Sequence, residues 1–210
     1  MTSLSADAHA GQALTALRQG THALHQQLDR LMPLSGAYIN RLDYLHHIGL
    51  MAAWLRALEP GLRDLRLGLA GGERWSPAAR LALIERDVEE AVQAGVDTGL
   101  LRWIPEARFD WSVPRAEGEA CRLGMVYVLE GSLLGGEVLR RRWGERLAPL
   151  QLRSLAVEGM GPRWKALLQL LEQRLSRREQ VEAAVRGAQE AFGCMIELAG
   201  HSRRQLSVTV

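Results

Sequence analysis

The chain has 210 residues, 47% hydrophobic and 24% charged, with 26 Lys+Arg against 24 Asp+Glu and a net charge of +2. This is the composition of a globular protein with one sizeable core; the charge balance and the absence of a polybasic tail argue against a nucleic-acid binder. No stretch approaches the ~18 apolar residues of a membrane span, and Met1–Gly11 lacks the basic start and apolar run of a signal peptide, so a cytoplasmic protein without membrane association is expected.

In chain order, helical periodicity dominates. Residues 12–32 place leucines at 14, 17, 24, 28 and 31 and stop near Pro33. Residues 41–58 form a second helical pattern, ended by Pro60-Gly61, and 77–94 a third, opened by Ser76-Pro77 as cap and first-turn residue. The stretch 99–115, with Trp103, Pro105, Trp111 and Pro114, reads as an irregular connection. Helical patterns follow from Glu117 to about Trp143, over 162–175, and over 177–199 before Gly200. With no strand alternation, repeat or composition shift, the reading is an all-α, single compact multi-helix bundle over 1–210, its core about 12–199. Cys121 and Cys194 lie in helical, apolar contexts without a C-x-x-C pair and are expected to be buried free thiols.

Two segments carry chemistry. On the first helix the apolar stripe centres near Leu17, Thr21, Leu24 and Leu28; at ~100° per residue His25 lies roughly 70° away, on the stripe's flank, and His22 about 130° away, toward solvent. Asp29 is one turn after His25, and Arg18 two turns before it, on the same flank. An imidazole so placed suits a metal, one nitrogen ligating while an acid orients the other; the alternative is a partly buried hydrogen-bonded histidine. His46 and His47 are adjacent, point apart and do not chelate; His9 and His201 lie near the termini.

The second segment is Tyr127-Val-Leu-Glu-Gly131-Ser132-Leu-Leu-Gly135-Gly136. Three glycines inside a helix cost about 3 kcal/mol in propensity, so a bare backbone is being kept for a reason. Close helix packing and close approach of a flat ligand compete as that reason. A phosphate loop is disfavoured, since no Lys-Ser/Thr follows.

Together, Thr21-x-x-x-His25 with Asp29 and, 106 residues after His25, Gly131-Ser132-x-x-Gly135-Gly136 resemble the proximal and distal helices of the heme oxygenase family. Val181–Leu198, with Ala191-Phe192, is similar to the family's last long helix. The resemblance implies heme as both substrate and cofactor, its iron ligated by His25, with Arg18 as a propionate partner and Gly131, Ser132, Gly135 and Gly136 over the distal face. It implies oxidative opening to biliverdin, CO and free iron, using O2 and electrons from a reductase or ferredoxin. In this family the protein supplies ligation, steric steering and protons through ordered water. Relatives often carry an acid where Ser132 stands, and a Glu where Asp29 stands. Arg163, Lys165 and Arg174 are candidate propionate contacts in the C-terminal half, though most simply surface residues, and Arg140-Arg141-Arg142 with Arg146 form a candidate dock for an acidic electron donor. Two other readings are a heme carrier or sensor on the same scaffold, and an unrelated helical enzyme such as a thiaminase-like hydrolase. The latter needs a cysteine or carboxylate cluster, whereas Glu85, Asp87, Glu89 and Glu90 read as an exposed helix face.

Overall fold

The computed structural model describes residues 11–69, 72–112, 117–156 and 158–209; His9 and residues 113–116, with Pro114, lie outside them. Six α-helices run in order among the described residues: α1 Gln12–Leu31, α2 Arg41–Leu62, α3 Ala78–Gln93, α4 Gly118–Leu147, α5 Met160–Arg174 and α6 Arg178–Thr209. Between α2 and α3 lies a two-stranded antiparallel ribbon, β1 Arg66–Leu69 and β2 Gly72–Arg74. The all-α class holds. No helix among the described residues is long and apolar enough to cross a membrane.

Local chemistry explains most boundaries. Asn40 caps α2 reciprocally: its Oδ1 accepts from the Leu42 and Asp43 amides at 2.7 and 3.1 Å, and Asp43 accepts from the Asn40 amide at 2.8 Å. Helix α2 passes through Pro60 to Leu62 rather than ending before it. Helix α6 likewise runs past Gly200, because Ser202, fully buried, hydrogen-bonds His46 Nε2 at 2.8 Å and anchors the extra turns on α2. Among its described residues the connection over 99–115 includes a short 3-10 helix, Gly99–Trp103.

Helix α2 is the centre of the core, with Tyr44, Leu45, Ile48, Leu50, Trp54, Leu55 and Leu58 buried and the Trp54 indole donating to the Ala191 carbonyl at 2.9 Å. Helix α6 lies against both α1 and α4, and these two lean on α6 rather than on each other. The α4–α6 crossing is a glycine seam. A Cβ on Gly124 would overlap the Ala184 carbonyl, and one on Gly187 would overlap the Cys121 carbonyl. Gly20 of α1 is similarly tight against Val185 of α6, where a Cβ would lie 2.5 Å from Cγ1.

Two buried polar groups depart from the sequence reading. Asp87 does not belong to an exposed acidic face: it is 1% exposed and takes the Tyr44 hydroxyl at 2.6 Å and the Arg153 and Ser154 amides at 3.0 and 2.8 Å, tying α3 to α2 and to the turn Arg153–Leu155. His47 is also in the core. Burial, helped by Arg80 and His46, pushes its imidazole down to about 3, so it is neutral in the fold. The unfolded chain binds a proton there near pH 6.5, and the native state does not until about pH 3. The stability this group contributes is therefore complete above pH 6.5 and falls as the pH drops, by up to about 1.4 kcal/mol per pH unit. His47→Leu is expected to flatten the pH dependence of urea midpoints between pH 6.5 and 5, above the range in which carboxylates titrate. His46, also lowered by burial, leaves a smaller slope of the same sign. The cysteines are free; Cys121 is buried and Cys194 half-buried, and burial pushes both thiols up to about 12.

Candidate functional site

Leu17 and Thr21 turn inward on α1, and His25, on the flank, stays 64% exposed. Its Nδ1 is 2.9 Å from Asp29 Oδ2. A neutral ring donating Nδ1–H to that carboxylate carries its lone pair on Nε2, outward. The Phe192 ring of α6 braces the imidazole, with centroids 5.8 Å apart and tilted by 60°. The sequence-predicted pair of His25 and Asp29 therefore forms. Arg18 does not join it; its guanidinium lies near the Tyr127 phenol of α4 and acts on it electrostatically. Burial raises the Tyr127 hydroxyl above its ordinary value, and the nearby Arg18 charge opposes that.

Tyr127, Gly131 and Gly135 recur every four residues and form one stripe of α4. Trp164 of α5 packs on this stripe, 5.4 Å from the Tyr127 ring, and a Cβ on Gly131 would only touch its far edge at 3.4 Å. At Gly135 a Cβ would meet nothing within 4 Å. Openness alone is not a signal, since Gly144 is also open. The distinguishing features here are the shared stripe, the indole and phenol at one end, and the cation brought from α1. Gly136, which the sequence reading groups with these two, faces elsewhere: its bare backbone is used by Leu155, whose carbonyl oxygen would be 2.7 Å from a Cβ. Both reasons for keeping glycines thus operate, at different residues of one segment.

Ser132 also faces away from the stripe. Its hydroxyl donates to the Leu129 carbonyl at 2.7 Å and accepts from Arg80 Nη1 at 2.8 Å. The sequence reading gives this position no charge; Arg80, 8% exposed and 52 residues earlier, supplies one. Arg163 is not a surface cation. It makes two hydrogen bonds to Glu130, at 2.7 and 2.9 Å, and Glu130 also accepts from the Trp75 indole at 2.9 Å. Arg174 bonds Glu119 and the Arg66 carbonyl, and Lys165 is exposed.

The arginine run after the stripe is partly compensated. Arg140 and Arg141 both bond Glu137, Arg142 stacks over Trp143 at 4.5 Å, and Arg146 donates to the Ile39 carbonyl. Exposed Val138 and Tyr38 lie among these cations, Tyr38 beneath Arg146.

The donor set fits a flat, anionic, metal-bearing ligand: an oriented imidazole nitrogen with no protein partner among the described residues, a stretch of bare helix, and an Arg and a Tyr for acidic substituents. Among the described residues no group of three or more His, Cys, Asp or Glu is placed to hold a bare metal ion. Comparison with known proteins agrees with this chemistry. The heme oxygenase family model matches residues 12–200. The heme oxygenase of Xanthomonas campestris pv. campestris (strain 8004) is 41% identical over 83 residues, which make up 38% of this chain and 50% of that relative. The match thus spans half the length of the relative.

Proposed function

The chain belongs to the heme oxygenase family, and from that premise we propose that it binds heme between α1 and α4 and opens the ring to biliverdin, CO and free iron. The observation that carries this reading is the α4 stripe Tyr127–Gly131–Gly135, bare at Gly135, with the Arg18 charge of α1 close enough to act on Tyr127.

Each residue then has a defined task. His25 offers Nε2 to the iron, and Asp29 fixes the ring by accepting Nδ1–H. Arg18 and Tyr127 hold a propionate, the guanidinium by charge and the phenol by a hydrogen bond. Gly131 and Gly135 let the α4 backbone approach the ring plane closely and limit the space above it, with Trp164 as a wall. Heme supplies the iron on which oxygen is activated, and the electrons come from outside the chain. Ser132, bonded to Arg80 and to the Leu129 carbonyl on the side of α4 away from the stripe, is given no task at the ring.

The test is turnover. Purified protein loaded with ferric heme is given ascorbate, or a reductase with its reductant, in air. Loss of the Soret band with growth of bilin absorption is the expected result; a stable ferrous–oxygen spectrum without bilin would make it a carrier. The face around Arg142 and Arg146, with exposed Val138 and Tyr38, is proposed to dock an acidic reductase or ferredoxin. Replacing both arginines with Gln is expected to slow reductase-driven turnover and flatten its salt dependence while ascorbate-driven turnover is unchanged. Equal slowing with both reductants would contradict a docking role.

A further inference from the structure

A cavity of about 580 Å³ lies behind α4, on the side away from the Tyr127–Gly135 stripe. Leu129 and Leu133 line it, each two residues from Gly131 and so roughly 200° around the helix from it. Leu55, Trp75 and Met160 complete an apolar wall, and Arg80 faces the cavity from the first turn of α3.

Arg80 is a buried cation with little to bond to. Among the described residues its one hydrogen bond is from Nη1 to Ser132, and its Nε is buried without a partner. Glu130 attracts it electrostatically but is engaged by both Arg163 and Trp75. Burial pulls the guanidinium down to about 10, as expected of a charge lacking its own counter-ion. Five donors are a large provision for one hydroxyl, and an uncompensated buried charge is a standing cost that an anion would remove. The starts of α3 and α5, at Ala78–Ala79 and Gly159–Met160, border the same space and favour negative charge there. The other acid at the cavity, Glu158, is exposed.

We propose that this cavity binds a small organic carboxylate with an apolar body, its carboxylate on the unengaged donors of Arg80 and its body against Trp75, Leu129 and Met160. The volume suits a molecule of that size, and the mixed lining distinguishes it from a plain phosphate site. The proposal does not depend on heme.

The probe is benzoate, with benzamide and inorganic phosphate as controls, titrated calorimetrically into the full chain without heme. Saturable benzoate binding that raises the melting temperature is expected, with both controls weaker by at least about tenfold. Arg80→Met is expected to fold, since it removes an uncompensated charge, and to lose benzoate binding by at least about tenfold. Ala79→Trp, which leaves Arg80 in place and fills the cavity from an exposed wall position, is expected to lose it too. Absence of saturable benzoate binding, binding unchanged in both variants, or benzamide or phosphate binding as tightly as benzoate would each overturn the proposal.

Discussion

Gly187→Ala is expected to destabilise the protein by about 3 kcal/mol, a large part of a net stability that is typically about 5–15 kcal/mol. The added methyl has nowhere to go: its nearest neighbour is the Cys121 carbonyl of α4, a backbone atom in mid-helix. Gly124 stands in the reciprocal position against the Ala184 carbonyl, so the partner of 121 is 187 and that of 124 is 184, an antiparallel crossing at backbone contact. Separating the helices to admit one Cβ would open the seam along its length and disturb the buried Ala184 and Ala188. Gly193→Ala is the control, because a Cβ there meets nothing within 4 Å; it is expected to be neutral or to stabilise by up to about 1 kcal/mol. Urea unfolding with comparable slopes checks both. A Gly187→Ala protein as stable as its parent would contradict the seam.

Gly135→Leu is expected to separate stability from function. No atom lies within 4 Å of a Cβ there, so the helix gains propensity and the protein is expected to become more stable by about 0.8 kcal/mol. The same side chain projects from the stripe proposed to lie over the heme and displaces the ring from its working position. Turnover is expected to fall on the order of 100-fold, the scale at which a misplacement of about 1 Å affects a reaction. Gly131→Ala is milder, because its methyl only touches the edge of Trp164. Stability measured by urea and bilin formation measured under ascorbate are the two readouts. A more stable protein with undiminished turnover would move the heme off this stripe.

The helices were legible in the sequence because each carries its own apolar period, and the His25–Asp29 pair because four residues on a helix fix a side-chain contact. What escaped depends on contacts distant in sequence. The β1–β2 ribbon joins strands of four and three residues, too short for the alternation of exposed Arg66 and Gly68 with buried Leu67 and Leu69 to stand out. The end of α6 is set by Ser202 meeting His46 of α2, so Gly200 does not stop it. Arg80 and Asp87 sit on a helix whose charges look solvent-facing; both are buried because α4 and the turn Arg153–Leu155 cover that side. Gly124 and Gly187 carry the tightest packing, yet each is a single glycine in an apolar helix and draws less notice than the triplet at 131–136.

The most direct test of the heme site is a titration of the protein with ferric heme beside His25→Ala. The substitution removes an exposed side chain and should leave the fold intact. The parent is expected to bind one heme per chain with a sharp Soret band, and His25→Ala to lose or shift that band and recover it when imidazole is added to the solution. Identical spectra from the two proteins would show that His25 is not the ligand and would contradict the site described between α1 and α4.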